Sequence, residues 1–142
     1  MYRNILVAVD GSKEAKMALA NAIDLAREHN ACLTILHVAA PPPAFARSTP
    51  AGALAVSELE ASHEPLLREA VDTVPDDLPV TTILLKGGPA HAIVETAKEH
   101  NIDLIVMGSR GRGRMEAALM GSVSQAVVHA SPVPVLVVHA SS

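Results

Sequence analysis

Apolar residues fall into five short, nearly continuous runs along the chain: Asn4–Val9, Cys32–Val38, Val80–Leu85, Asp103–Met107 and Val133–Val138. Successive Val, Ile and Leu without polar alternation are the pattern of strands covered on both faces. Between these runs apolar positions recur every three or four residues, the period of a helix with one buried stripe. Ala15, Ala18, Leu19, Ala22, Leu25 and Ala26 form such a stripe after the first run. After the third run, Gly88-Pro89 places proline at a helix start, and Ile93, Val94 and Ala97 are its apolar face.

Two helix ends repeat each other. Ala26-Arg27-Glu28-His29-Asn30 and Ala97-Lys98-Glu99-His100-Asn101 both lead into a strand. Asparagine suits the left-handed residue that closes a helix, so both segments read as helix, cap, strand. Regular β and α alternation predicts an α/β fold: an open five-stranded parallel sheet with helices on both faces and right-handed crossovers, all in one domain spanning residues 1–142. One stretch breaks the rhythm. Pro41-Pro42-Pro43 through Gly52 has no periodicity and reads as a long loop. Ala53 to Val74 is helical in pattern but contains Pro65, which predicts a kink or break near His63-Glu64.

Composition narrows the function classes. The 142 residues are 49% hydrophobic and 18% charged, enough for a packed core that buries roughly two-thirds of the unfolded surface. A formal net charge of -4 argues against general affinity for nucleic acid. Tyr2 and Phe45 are the only aromatics, so a planar ligand must lie between aliphatic side chains. No apolar stretch approaches transmembrane length, and Ile5–Val9 is too short for a signal-peptide core, so the expectation is a cytoplasmic protein that does not engage membranes. Cys32, the sole cysteine, sits in an apolar run and reads as a small buried thiol.

Ligands of open α/β sheets bind beyond the carboxyl ends of the strands, where the strand order reverses. Three such ends carry distinctive chemistry: Val9-Asp10-Gly11-Ser12, His37-Val38, and the segment Met107-Gly108-Ser109-Arg110-Gly111-Arg112-Gly113-Arg114. If the first and fourth strands are neighbours, Asp10 and Gly108 face each other across one crevice. A strand that breaks into glycines, arginines and hydroxyls before a helix gives phosphate oxygens room and donors. The Walker pattern G-x-x-x-x-G-K-[ST] starts correctly at Gly108 and Gly113, but Arg114 replaces the lysine and Met115 the hydroxyl. The dinucleotide pattern G-x-G-x-x-G fails as well, because Gly111 and Gly113 lead to Glu116.

The pattern that does fit is G-x-x-G followed, after nine intervening residues, by G-[ST]: Gly108, Gly111, Gly121 and Ser122. With the opening Ile5-Leu6-Val7-Ala8-Val9-Asp10-Gly11-Ser12, the ending His37-Val38 and the closing Ser131-Pro132-Val133-Pro134-Val135-Leu136-Val137-Val138, the chain resembles the universal stress protein family, in its ATP-binding branch. The resemblance covers nearly the whole chain. It implies a Rossmann-like sheet of the adenine nucleotide α-hydrolase kind and ATP as ligand, with Mg2+ entering only through the phosphates. It also implies a role in stress or signalling, in which nucleotide shifts a conformational or partner-binding equilibrium. Asp10 would then lie by the ribose and Val38 would meet adenine through its backbone. Met107, Gly108, Arg110 and Gly111 would flank ribose and phosphates, and Gly121, Ser122, Val123 and Ser124 would hold phosphate oxygens. A homodimer through antiparallel pairing of Val133–Val138 is implied too, with a protein partner of unknown identity.

Other readings stay open at this level. Asp10 could instead cap the first helix. Arg112 and Arg114 either neutralise phosphate or face solvent. His37 is either a wall of the crevice or a core histidine, the wall being preferred. His91 and Glu95 read as an exposed helix face, and no histidine pair has zinc-motif spacing with the cysteine. No catalytic constellation emerges, since Asp10 is the only carboxylate expected near the phosphate loop. The competing classes are a slow ATPase or related nucleotide-hydrolysing enzyme, and a partner-binding module whose nucleotide site is vestigial.

Overall fold

A computed structural model describes residues 1–39, 48–54, 63–109 and 120–140. Its strands are β1 (Asn4–Ala8), β2 (Cys32–Ala39), β3 (Val80–Lys86), β4 (Leu104–Gly108) and β5 (Val135–Val138). The helices between them are α1 (Lys13–His29), α2 (His63–Asp72), α3 (Pro89–Glu99) and α4 (Ser122–Ala130), and a helical turn occupies 50–54. All neighbouring strands are parallel, in the order β3-β2-β1-β4-β5. The chain therefore lays strands outward from β1 to β3, then crosses back to place β4 on the other side of β1. The order reverses between β1 and β4, where the sequence pattern puts Asp10 and Gly108.

Two cores explain the unbroken apolar runs. Residues of opposite parity on each strand pack against different helices. Ile5, Val7, Leu33, Ile35, Leu104 and Val106 face α1 and α2. Leu6, Leu36, Ile105 and Met107 face α3 and α4, where Ile93, Val94, Ala97 and Val127 meet them. Each large aliphatic side chain buried in this way contributes roughly 1.5–3 kcal/mol. The small residues of the α1 stripe, Ala18, Ala22 and Ala26, are fully buried, which lets the helix lie close to the sheet.

Local signals place the ends of the elements. Ser12 caps α1 by accepting from the Ala15 amide at 3.1 Å. Asn30 closes α1 in the left-handed region at φ 55°, and Asn101 follows α3 in the same conformation at φ 54°. The amide after each asparagine bonds back to the matching carbonyl, Ala31 to Ala26 and Ile102 to Ala97. The repeated sequence is thus repeated geometry. Pro65 lies in the first turn of α2, where a missing N–H breaks no helical bond, so the break predicted near His63 is where this helix starts.

Two expectations change. Cys32 is exposed, not buried: it opens β2 opposite Asn4, at the sheet margin ahead of the helical cover. The last strand is four residues long, but its ladder begins earlier, with the Ile105 amide donating to the Pro134 carbonyl. Among the described residues it pairs only with β4, so it forms a sheet edge, and Leu136 is exposed. Among the described residues no helix is long and apolar enough to cross a membrane.

The left-handed caps make a direct prediction. Asn30→Ala should cost about 1 kcal/mol, because a Cβ is strained there without the local bonding of asparagine. Asn30→Gly should be near neutral. Midpoints of urea unfolding distinguish the two.

Candidate functional site

The site grows from the carboxyl ends of β1 and β4. Beyond β1 the chain turns sharply, and Gly11 takes φ 83°, a conformation that favours glycine. Asp10 stabilises the turn by accepting from the Ser12 amide at 2.9 Å through one carboxylate oxygen. Asp10 is half-buried and is not the cap of α1, since Ser12 performs that task.

At the end of β4, Gly108 lies directly against the first turn of α1. A Cβ built there would stand 2.7 Å from the Glu14 Cβ and 2.9 Å from its backbone carbon. No L side chain fits without moving α1. The glycine thus has a packing role whatever it does for a ligand, and it brings a second carboxylate, Glu14, buried to 8% exposure, to this end of the sheet. Sequence reasoning had allowed only Asp10 here.

Next comes Ser109, with 1% of its surface exposed. Its amide donates to the Val138 carbonyl at 2.8 Å, tying β4 to β5. Its carbonyl accepts from the Gly121 amide at 2.6 Å and from the Ser124 hydroxyl at 2.8 Å. The start of α4 is thereby fastened to the end of β4 from across the intervening segment. Gly121, in an extended conformation, is the residue before α4 and offers no side chain to cap it. The first amides of a helix have no acceptor within the helix, and here they carry the positive end of its dipole. Ser122 is exposed, Val123 half-buried and Ser124 buried.

The predicted residues thus divide. Asp10, Gly108, Gly121, Ser122, Val123 and Ser124 gather at the ends of β1 and β4. Val38 joins them from β2, half-buried on the α3 and α4 side. Met107 is 5% exposed with its side chain in the core, so its backbone is what borders the crevice. The Ser124 hydroxyl turns inward to Ser109 and Gly121, leaving its amide as the group at the helix start. Arg110 and Gly111, with Arg112 and Arg114, lie outside the described residues.

His37 does not form the preferred crevice wall. It is 5% exposed on the α1 and α2 side, with Nδ1 2.7 Å from the Val9 carbonyl and Nε2 2.7 Å from His63 Nδ1. The sequence also missed Ser109 as an anchor: it stands inside the glycine motif, but its function is carried by backbone atoms that no residue pattern advertises. A separate concavity of about 370 Å³ opens between α1 and α2 over Val9, Leu19, Ile23 and Leu66. Lys16 and Glu69 meet across its rim at 3.9 Å.

This arrangement has close counterparts. Residues 1–139 match the model of the universal stress protein family. A universal stress protein of Thermus aquaticus is 39% identical, over 97% of this chain and 99% of its own. The chain belongs to the universal stress protein family. The solved universal stress protein UspA from Lactobacillus plantarum is 34% identical and superposes with a TM-score of 0.80, covering 96% of this chain and 97% of its own. Another universal stress protein, solved in complex with cAMP, is 30% identical with a TM-score of 0.75, over 99% and 98% of the two chains.

Because Gly108 is held against Glu14, Gly108→Ala should destabilise this universal stress protein by about 1–3 kcal/mol through overpacking. Chemical denaturation without any ligand measures this. An unchanged midpoint would mean that α1 yields freely at its first turn.

Proposed function

We propose that this universal stress protein binds an adenine nucleotide, ATP by its motif, across the ends of β1 and β4, and uses it to shift a conformational or partner-binding equilibrium. The observation that carries the reading is the uncapped start of α4, tied by the Ser109 carbonyl to the strand beside Asp10. Helix amides aimed into a crevice favour a phosphate, and the dipole adds to them. Asp10 keeps a second carboxylate oxygen beyond the one its own turn uses, a suitable acceptor for a ribose hydroxyl. The relative solved with cAMP supports an adenine nucleotide as the ligand class.

In this reading Val38 offers its backbone to adenine. Gly108 and Gly111 leave room for ribose and phosphate, and the amides of Ser122, Val123 and Ser124 hold phosphate oxygens. Mg2+ would be held through the phosphates. The protein acts by binding: Asp10 belongs to the ribose end, and Glu14 lies buried against Gly108. The exposed edge of β5 would pair with its counterpart in a second copy, giving a homodimer through Val133–Val138.

Thermal unfolding with added ATP tests the proposal. At a hundredfold excess over Kd, a ligand of the folded state adds about 2.7 kcal/mol, or roughly 6–10 °C in Tm for a chain of this size. Asp10→Ala and Gly121→Val should each lose most of that gain. No stabilisation by millimolar ATP, with or without magnesium, would refute it.

A further inference from the structure

Two histidines join α2 to the sheet, and their protons can be counted. The Val9 carbonyl only accepts, so His37 Nδ1, 2.7 Å away, carries a hydrogen. His37 Nε2 stands 2.7 Å from His63 Nδ1, with the ring centroids 4.8 Å apart. Two nitrogens at that distance need one hydrogen between them. With both rings neutral, His63 supplies it and His37 Nε2 accepts. One added proton is accommodated, because the shared hydrogen can belong to either ring. A second added proton is not, since it leaves both facing nitrogens protonated and both rings positive.

We propose that His37 and His63 form a proton-sensitive clasp, closed with at most one excess proton on the pair and opened by the second, which loosens the hold of the sheet on the start of α2. The position gives the clasp consequences. His63 is the first residue of α2, and Val9 directly precedes Asp10. Val9 also floors the concavity between α1 and α2, and Leu66 follows His63 by one turn. Opening the clasp therefore widens that apolar groove beside the turn that carries Asp10.

The sign follows from the proton count. The open state binds one more proton than the closed state, so closure is favoured at high pH and weakens as pH falls. Among the described residues, charged groups on the surrounding elements are Asp10 after β1, Glu14 and Lys16 on α1, Glu64, Arg68 and Glu69 on α2, and Lys86 at the end of β3. Lys16 and Glu69 pair with each other. The carboxylates favour uptake of protons, and none of these groups relieves the collision between two facing N–H groups.

Amide hydrogen exchange on the full chain between pH 7.5 and 5.5 tests the clasp, with intrinsic rates corrected and the α3 amides of Ile93–Ala97 as internal reference. Protection of the α2 amides Leu66–Ala70 should fall by up to tenfold per pH unit, roughly, once the second proton is taken up. His63→Gln, which can still donate to His37 Nε2 and takes no proton, should remove that dependence. Flat α2 protection in the unaltered chain, or the same slope in His63→Gln, overturns the proposal. Nitrogen-15 spectra of the unaltered protein give a second test: at pH 7.5 His37 must carry its hydrogen on Nδ1, and a hydrogen on Nε2 alone overturns the clasp.

Discussion

The structure depends on how tightly the end of β4 is gripped. Gly108 admits the first turn of α1 within 2.7 Å of where a Cβ would stand, and the next carbonyl, Ser109, holds the start of α4 by two hydrogen bonds. Two helices on opposite faces of the sheet are thereby brought, amino ends first, to one strand terminus. One of them is capped by Ser12; the other, preceded by Gly121, has no such side chain. The asymmetry decides where an anion is welcome. At α1 the capping hydroxyl already satisfies an amide, whereas at α4 Gly121 offers no side-chain cap to the first amides.

Much of this was legible in the sequence. Continuous apolar runs require cover on both faces, and the two cores supply it. The asparagine caps were readable because so few residues accept a left-handed backbone, and Pro89 because a helix start tolerates a missing N–H. That Asp10 and Gly108 share one end of the sheet was conditional on β1 and β4 being neighbours, which the strand order supplies. What escaped was set by the approach of elements distant in sequence. Glu14 lies buried beside Gly108 because the first turn of α1 packs onto that glycine. His37 could not be assigned to a face without knowing that His63 begins α2. Ser109 acts through backbone atoms, which a residue pattern does not encode. Cys32 shared the composition of a buried strand, but it opens β2, and the buried positions on its face begin with Thr34.

The two faces of the sheet divide the work. On the α3 and α4 side, Val38 and the start of α4 border the proposed nucleotide. On the α1 and α2 side, the histidine pair fixes α2 over an apolar concavity. Val9-Asp10 belongs to both, since its backbone carries the His37 contact and its carboxylate turns toward Ser12. A change at either face can reach the other through this one turn, a distance of a single residue. Coupling of this kind needs an element with two arrangements, and in the proposed clasp α2, joined to His37 through a shared hydrogen, supplies it.

The central claim is that an adenine nucleotide sits where β1 and β4 end and α4 begins. Amide spectra of the isotope-labelled protein, titrated with ATP, test it residue by residue. The largest shifts should fall at Asp10–Ser12, Val38, Gly108–Ser109 and Gly121–Ser124, with those of the α2 amides smaller. Spectra unchanged at millimolar ATP, or shifts confined to the groove between α1 and α2, would contradict it.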